Sequence, residues 1–322
     1  MAKQAVLLLA HGTAETVEQI PEYLLKVTGG RPLAAAVIQE IQHRYSLIGR
    51  SPLTEITLAQ GKRVEAELAA AGHPVAVYVG MRNWQPYIAD VIARMKADGV
   101  EQVAVLCLAP QNSRTSTGLY RKAVEAVADG LQMDFTAGWA QEPLLAEAFA
   151  ERLRPALARI QSEAGHPVPV LFTAHSVPSR TVQSPADGQP GDSYVEDAQS
   201  TARLVAERVP ELSRWLFAFQ SQGASGGPWI GPTVEETLDA LAKEGVKTLL
   251  LQPIGFLCDH VEILYDVDIL FRGYAERLGM RLERPESLND SLPLAGAITG
   301  LAIQALERLS GGKGIWISSP EI

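Results

Sequence analysis

Cysteine is nearly absent. Cys107 and Cys258 are the only two in 322 residues, and neither belongs to a CxxC pair. A disulfide framework and a cysteine-held cluster are therefore unsupported, and a reducing compartment is expected. An excess of basic residues is missing too. Lys and Arg number 28 against 37 Asp and Glu, for a net charge of -9, which leaves no cationic footprint for nucleic acid or anionic lipid. No apolar window approaches the roughly 18 residues of a membrane span. Met1-Ala2-Lys3-Gln4 runs directly into a short strand-like segment without a charged leader, a long apolar region or a cleavage site. The expectation is a soluble, cytoplasmic chain.

What the chain does have is alternation. Continuous apolar runs occur at Ala5 to Ala10, Val75 to Val79, Val103 to Leu108, Val168 to Phe172, Leu216 to Phe219 and around Leu249. Such runs mark strands covered on both faces of a parallel sheet. Between them lie Ala-, Glu-, Leu- and Arg-rich stretches with helical character: Leu58 to Ala71, Ile88 to Ala97, Leu145 to Ala164 and Val195 to Val209. Strand and helix in alternation predict a doubly wound α/β fold. The strand runs fall in two sets around the helix-like region from Pro143 to Ala164, so two domains are expected, residues 1–155 and 156–322. They look alike in architecture, without a residue-level repeat.

Chemistry is expected where strands end, because ligands of open α/β sheets bind outside the carboxyl ends. Three strand exits are polar. The Leu249 run leads into Gln252-Pro253-Ile254-Gly255-Phe256-Leu257-Cys258-Asp259-His260-Val261-Glu262 and on to Asp266. On a helix Glu262 and Asp266 share one face, which suits a visiting cation or proton. Asp259 can equally serve as a plain N-cap, with His260 and Glu262 only flanking it. A second exit, Thr173-Ala174-His175-Ser176-Val177-Pro178, presents His175 just before a proline that forces extended backbone. A third, Gln220 to Pro232, combines glycines that admit a close ligand with the flat face of Trp229. Gly29 to Leu53, where glycines and prolines interrupt a helical segment carrying His43, Arg44 and Tyr45, and Ser184 to Asp192 read as loop-rich insertions. Arg31, Arg50, Arg114 and Arg121 give local positive charge suited to a carboxylate-bearing small molecule, or are solvated surface charges.

Together these blocks resemble the ferrochelatase family, which inserts ferrous iron into porphyrins in haem biosynthesis. The resemblance is carried by Phe172 to Pro178, Gln220-Ser221, Pro228-Trp229-Ile230-Gly231-Pro232, Pro253-Ile254-Gly255-Phe256 and Asp259 to Asp266. Ser51-Pro52-Leu53 and Glu286-Ser287-Leu288-Asn289 add to it. It implies two Rossmann-like domains with the active-site cleft between them. His175 and Glu262 would face the metal, with Asp266 as the next acid. His11, Arg31, Ser51, Tyr120 and Trp229 would contact the porphyrin, His11 standing where relatives carry Tyr or Met and able to bind iron. Leu270 occupies the place of a third acid found in some relatives.

The C-terminus ends without a cysteine-rich extension, and the segment after His11 is broken by Glu15, Glu18, Gln19, Glu22 and Lys26. The chain is thus similar to the soluble bacterial type, and coproporphyrin III is favoured over protoporphyrin IX. No permanently bound cofactor and no iron–sulfur cluster are expected. Fe²⁺ would be a substrate, and neighbouring haem-pathway enzymes transient partners. The rival readings are a sirohydrochlorin-type chelatase, to which His11-Gly12-Thr13 is similar, and a non-catalytic haem or metal carrier.

Overall fold

The computed structural model describes residues 2–183, 192–222 and 227–316. Of the expected insertion at 184–192, residues 184–191 lie outside the described residues, as do residues 223–226 of the glycine-bearing loop. Nine strands are described: β1 Gln4–Ala10, β2 Ala76–Met81, β3 Gln102–Cys107, β4 Gln132–Thr136, β5 Val170–His175, β6 Trp215–Gln220, β7 Thr248–Pro253, β8 Arg281–Glu283 and β9 Ile315–Trp316. They form two sheets, of order β2-β1-β3-β4-β9 and β6-β5-β7-β8. Every pairing is parallel except β4 with β9. The expected α/β class with two doubly wound sheets is what the chain adopts.

The strands are buried because both faces are covered. In β1, Ala5, Leu7 and Leu9 face Ile88, Ile92 and Met95 of the helix Ile88–Ala97. Val6 and Leu8, equally inaccessible, point to the other side. This is why β1 reads as an unbroken apolar run and not as an alternation. In the second sheet Leu171, Leu249 and Leu251 pack with Leu238, Ile263, Val267 and Phe271. The backbone bearing Glu262 and Asp266 is therefore anchored to the sheet through its apolar neighbours.

The chain does not divide into the contiguous halves 1–155 and 156–322. One compact unit comprises Met1–Ala34, Pro52–Trp139 and Asn289–Ile322, and the other Ala35–Ser51 and Ala140–Leu288. Two crossings were hidden from the sequence. The long helix Leu292–Ser310 returns to the first unit, where the Gln4 amide donates to the carbonyl of Leu306 at 3.3 Å and the Arg308 guanidinium meets Asp134 at 2.7 Å. The helix Ala35–Ile48 joins the second unit. Helical periodicity says that a face will be buried, not which sheet will bury it. The helical segment carrying His43, Arg44 and Tyr45 forms a regular helix between the glycines at 29–30 and 49.

Candidate active site

Both units place a histidine at the end of a central strand. In the second unit the strand order changes direction between β5 and β7, which is where a doubly wound sheet opens a crevice. His175 is the last residue of β5, in register with Gln220 of β6. Its Nδ1 donates to the carbonyl of Ser176. A carbonyl only accepts, so Nδ1 carries the hydrogen and Nε2 keeps its lone pair. The Tyr194 hydroxyl holds the His175 carbonyl at 2.8 Å. Phe256 and Trp229 flank the imidazole, with centroids 6.3 and 6.4 Å away. The Trp229 loop is laced to the β5 exit, since Ile230 N donates to Val177 O at 3.1 Å and Ser176 Oγ to Ile230 O at 2.8 Å.

After β7 the chain enters a single helical turn, Val261–Leu264, whose N-cap is His260 in extended conformation. Asp259 is not the cap. Its carboxylate accepts from Ser287 Oγ at 2.7 Å and pairs with Arg284 at 3.1 Å. Glu262 places Oε1 3.4 Å from His175 Nε2 and Oε2 3.4 Å from His260 Nε2. His260 Nδ1 lies 3.2 Å from the Cys258 carbonyl, so its Nε2 is likewise the lone-pair nitrogen of the neutral ring. Two lone pairs thus point at one carboxylate, an arrangement favourable only when a proton or cation lies between them.

The electrostatics follow from this packing. Burial opposes protonation of His175, but the Glu262 charge and hydrogen bond, with the Ser176 carbonyl, outweigh it and raise the imidazole above its ordinary range. Burial likewise opposes ionisation of Glu262, yet His175 and His260 hold it well below the usual carboxylate value. Asp266 behaves oppositely. Burial and the Glu262 charge push it up to about 6, against the Ser221 hydrogen bond and the Arg44 charge. Ser221 donates its hydroxyl to Asp266 from a left-handed backbone at φ 58°, a conformation a non-glycine residue holds only when its surroundings impose it. Arg44 Nη1 lies 3.7 Å from Asp266, and its guanidinium stacks 5.1 Å from the Tyr265 ring.

The second unit thus brings together His175, Glu262, Asp266 and Trp229 as expected, and adds His260, Ser221 and Arg44. His260 was legible beside Glu262 but carried no separate signal, because spacing alone does not show that it faces the same carboxylate. Among the described residues no group of three or more His, Cys, Asp and Glu side chains forms a ready metal cage. His175 and Glu262 offer two donors.

The other expected contacts are less uniform. His11 immediately follows β1 in the first unit, with Nε2 3.2 Å from the Tyr23 hydroxyl and 3.0 Å from Asn83 Nδ2. Asn83 N also donates to the His11 carbonyl at 2.9 Å. Gly12 beside it is obligatory, with φ 75° and no room for a Cβ against Trp84 N at 2.8 Å. Arg31 is exposed, its Nε donating to the Thr28 carbonyl at 3.2 Å. Ser51 is buried. Tyr120 is buried as well, packed with the core of the first unit on the same helical face as Val124. The Arg82 guanidinium lies 5.9 Å from its ring centroid.

The two-sheet α/β scaffold is one found among solved chelatases. The sirohydrochlorin chelatase of Bacillus subtilis subspecies spizizenii in complex with cobalt shares this fold, with a TM-score of 0.57 at 12% identity over 97% of this chain and 99% of that one. The chain belongs to the ferrochelatase family, whose model matches residues 3–306. It is 55% identical over 320 residues to the ferrochelatase of Acidobacterium capsulatum, covering 97% of each chain. Identity to the coproporphyrin III ferrochelatase of Geobacillus thermodenitrificans is 32%, over 96% of this chain and 98% of the relative. For that of Bacillus subtilis it is 28%, over 95% and 99%. The protein is accordingly an enzyme that inserts iron into a porphyrin. Among the described residues no helix is long and apolar enough to cross a membrane.

Proposed function

We propose that His175 and Glu262 carry out the insertion, with Asp266 as the outlet for protons, and that the porphyrin is coproporphyrin III. The observation behind the assignment is the 3.4 Å approach of His175 Nε2 to Glu262 Oε1, with the His175 Nδ1 hydrogen already committed to Ser176. Metallation replaces two pyrrole N–H protons by one divalent ion. The free Nε2 lone pair is a base for the first proton, and the carboxylate beside it stabilises the imidazolium that results. Glu262 offers an oxygen donor to the ferrous ion, which imidazole and carboxylate both suit. Asp266, raised to about 6, exchanges protons with neutral solvent, whereas an ordinary carboxylate would hold them too weakly. Trp229 and Phe256 supply apolar surface beside the imidazole for a macrocycle. His11, Arg31, Ser51 and Tyr120 are kept as porphyrin contacts in this reading.

The choice of coproporphyrin III draws support from the relatives that bear that name and from Glu15, Glu18, Glu22 and Lys26, which break any apolar lip after His11. The iron is a substrate in this reading and no resident cofactor is invoked. Two buried cysteines, one in each unit, supply too few thiolates for a four-cysteine cluster. A reducing cytoplasm, with transient contact to enzymes that deliver the porphyrin and accept the product, completes it. Anaerobic Fe²⁺ with each porphyrin in turn is the test. A higher kcat/KM for coproporphyrin III is expected, and an equal or reversed ratio refutes the substrate assignment.

A further inference from the structure

Arg284 takes no part in proton handling, yet its side chain is only 12% exposed. It follows β8 directly, and its guanidinium is divided between two carboxylates. Nε and Nη2 each donate to Asp268, both at 2.8 Å, in the parallel two-point geometry that only a planar fork provides. Nη2 also stands 3.1 Å from Asp259 Oδ1, the oxygen that Ser287 donates to at 2.7 Å. Nη1 finishes on the Pro285 carbonyl at 3.2 Å.

The two carboxylates are well placed. Asp259 immediately precedes His260, and Asp268 follows Asp266 by two residues, so one cation pins both ends of the backbone carrying His260, Glu262 and Asp266. That backbone has little stiffness of its own. The turn Val261–Leu264 is four residues long and passes into a wide π-type turn, Asp266–Phe271, in which Leu270 N donates to the Tyr265 carbonyl at 2.9 Å. One-turn helices do not persist without outside support, and π turns are sparsely populated. A second cation, Arg272, reaches Asp268 only at 3.6 Å and is 43% exposed, so it is a poor substitute.

We propose that Arg284 is a positioning residue for iron insertion, holding the Asp259–Asp268 span where Glu262 meets the Nε2 atoms of His175 and His260. This deepens the assignment of Glu262 above and rests on it. Misplacing a reacting group by about 1 Å costs on the order of 100-fold in rate, and porphyrin affinity, which comes from the large apolar surface, should be little affected.

The test compares Arg284→Met, Arg284→Lys, Asp268→Asn and the control Glu262→Gln with wild type, in steady-state coproporphyrin III metallation by anaerobic Fe²⁺, with folded fraction from circular dichroism. The expected result for Arg284→Met is a kcat lower by about 30- to 100-fold per folded molecule, with porphyrin KM within about threefold. Arg284→Lys, which keeps the charge but not the fork, should recover part of the loss. A kcat per folded molecule within threefold of wild type in Arg284→Met overturns the proposal. So does a loss matched by the loss of folded protein. Where Arg284→Met fails to fold, wild-type kcat in both Arg284→Lys and Asp268→Asn overturns it equally. Full activity in Glu262→Gln would remove the underlying assignment and the proposal with it, whereas an inactive Glu262→Gln beside an unimpaired Arg284→Met refutes Arg284 alone.

Discussion

Glu262 and Asp266, four residues apart on one stretch of backbone, are driven to opposite protonation preferences. Glu262 lies between two imidazoles and is held well below the ordinary carboxylate range, while Asp266, buried beside the Glu262 charge, is raised to about 6. One position keeps its charge and the other gives it up near neutrality. This is what a proton relay needs, since a carboxyl titrating near the working pH can both accept and release.

The Asp266 shift carries a stability consequence. Its folded value is raised from 3.8 to about 6, so ionising it costs folding free energy. That cost is absent below about pH 4 and complete once the pH has risen past about 6. Asp266→Asn should therefore melt higher than wild type at pH 7.5, by an amount corresponding to at most about 3 kcal/mol, and lose that advantage as the pH falls toward 4. Metallation activity should fall at the same time. Thermal melts across this range decide the matter, and an offset independent of pH counts against a buried, raised Asp266.

His175 supplies a kinetic signature. With Nε2 as the base, kcat/KM should rise with pH through the elevated value of the imidazole, because only the neutral ring accepts a proton. Glu262 is the main influence that raises it. Removing the carboxylate charge in Glu262→Gln should shift the residual profile to lower pH as well as lowering its plateau. His175→Ala should abolish insertion yet leave porphyrin binding within about tenfold, roughly 1.4 kcal/mol. Fluorescence titration measures the second quantity, and a His175→Ala enzyme turning over near the wild-type rate contradicts the role.

How far the sequence revealed these features depends on the physics behind each. Six strands announced themselves as apolar runs because both faces of each sheet are covered. β4 and β8 did not, since Gln132-Met133-Asp134-Phe135-Thr136 is half polar and Arg281-Leu282-Glu283 spans three residues. His175, Glu262 and Asp266 were legible as polar residues at strand exits. Arg44 was not, because its role depends on the helix Ala35–Ile48 folding against Tyr265, a contact with no sequence periodicity. Ser221 needed the φ angle, and Arg284 needed the pairing of β8 with β7 to bring it beside Asp268. Tyr120 carries no such signal, because a phenol on an amphipathic helix has the same local pattern whether it faces ligand or core.

Gly255 tests how tightly the two strand exits must fit. It follows β7, where Ile254 N donates to the Thr173 carbonyl at 2.8 Å, and a Cβ there would meet both Cα and Cβ of Ala174 at 3.0 Å and His175 N at 3.5 Å. Those atoms belong to a central strand and cannot move aside like the tip of a flexible side chain. Gly255→Ala should therefore push the β5 exit away from the β7 exit, destabilising the fold by about 1–3 kcal/mol. Because the displaced strand exit carries His175, the proposed base, kcat should fall about tenfold even at temperatures where the variant is fully folded. Gly296→Ala is the matching control. It lies within the helix Leu292–Ser310, where the added carbon meets nothing within 4 Å beyond its chain neighbours and the helix's own backbone, so it should gain up to about 1 kcal/mol from helix propensity and leave kcat unchanged. If Gly255→Ala melts and turns over like wild type, the contact at Ala174 is not restrictive and the placement of His175 does not depend on it.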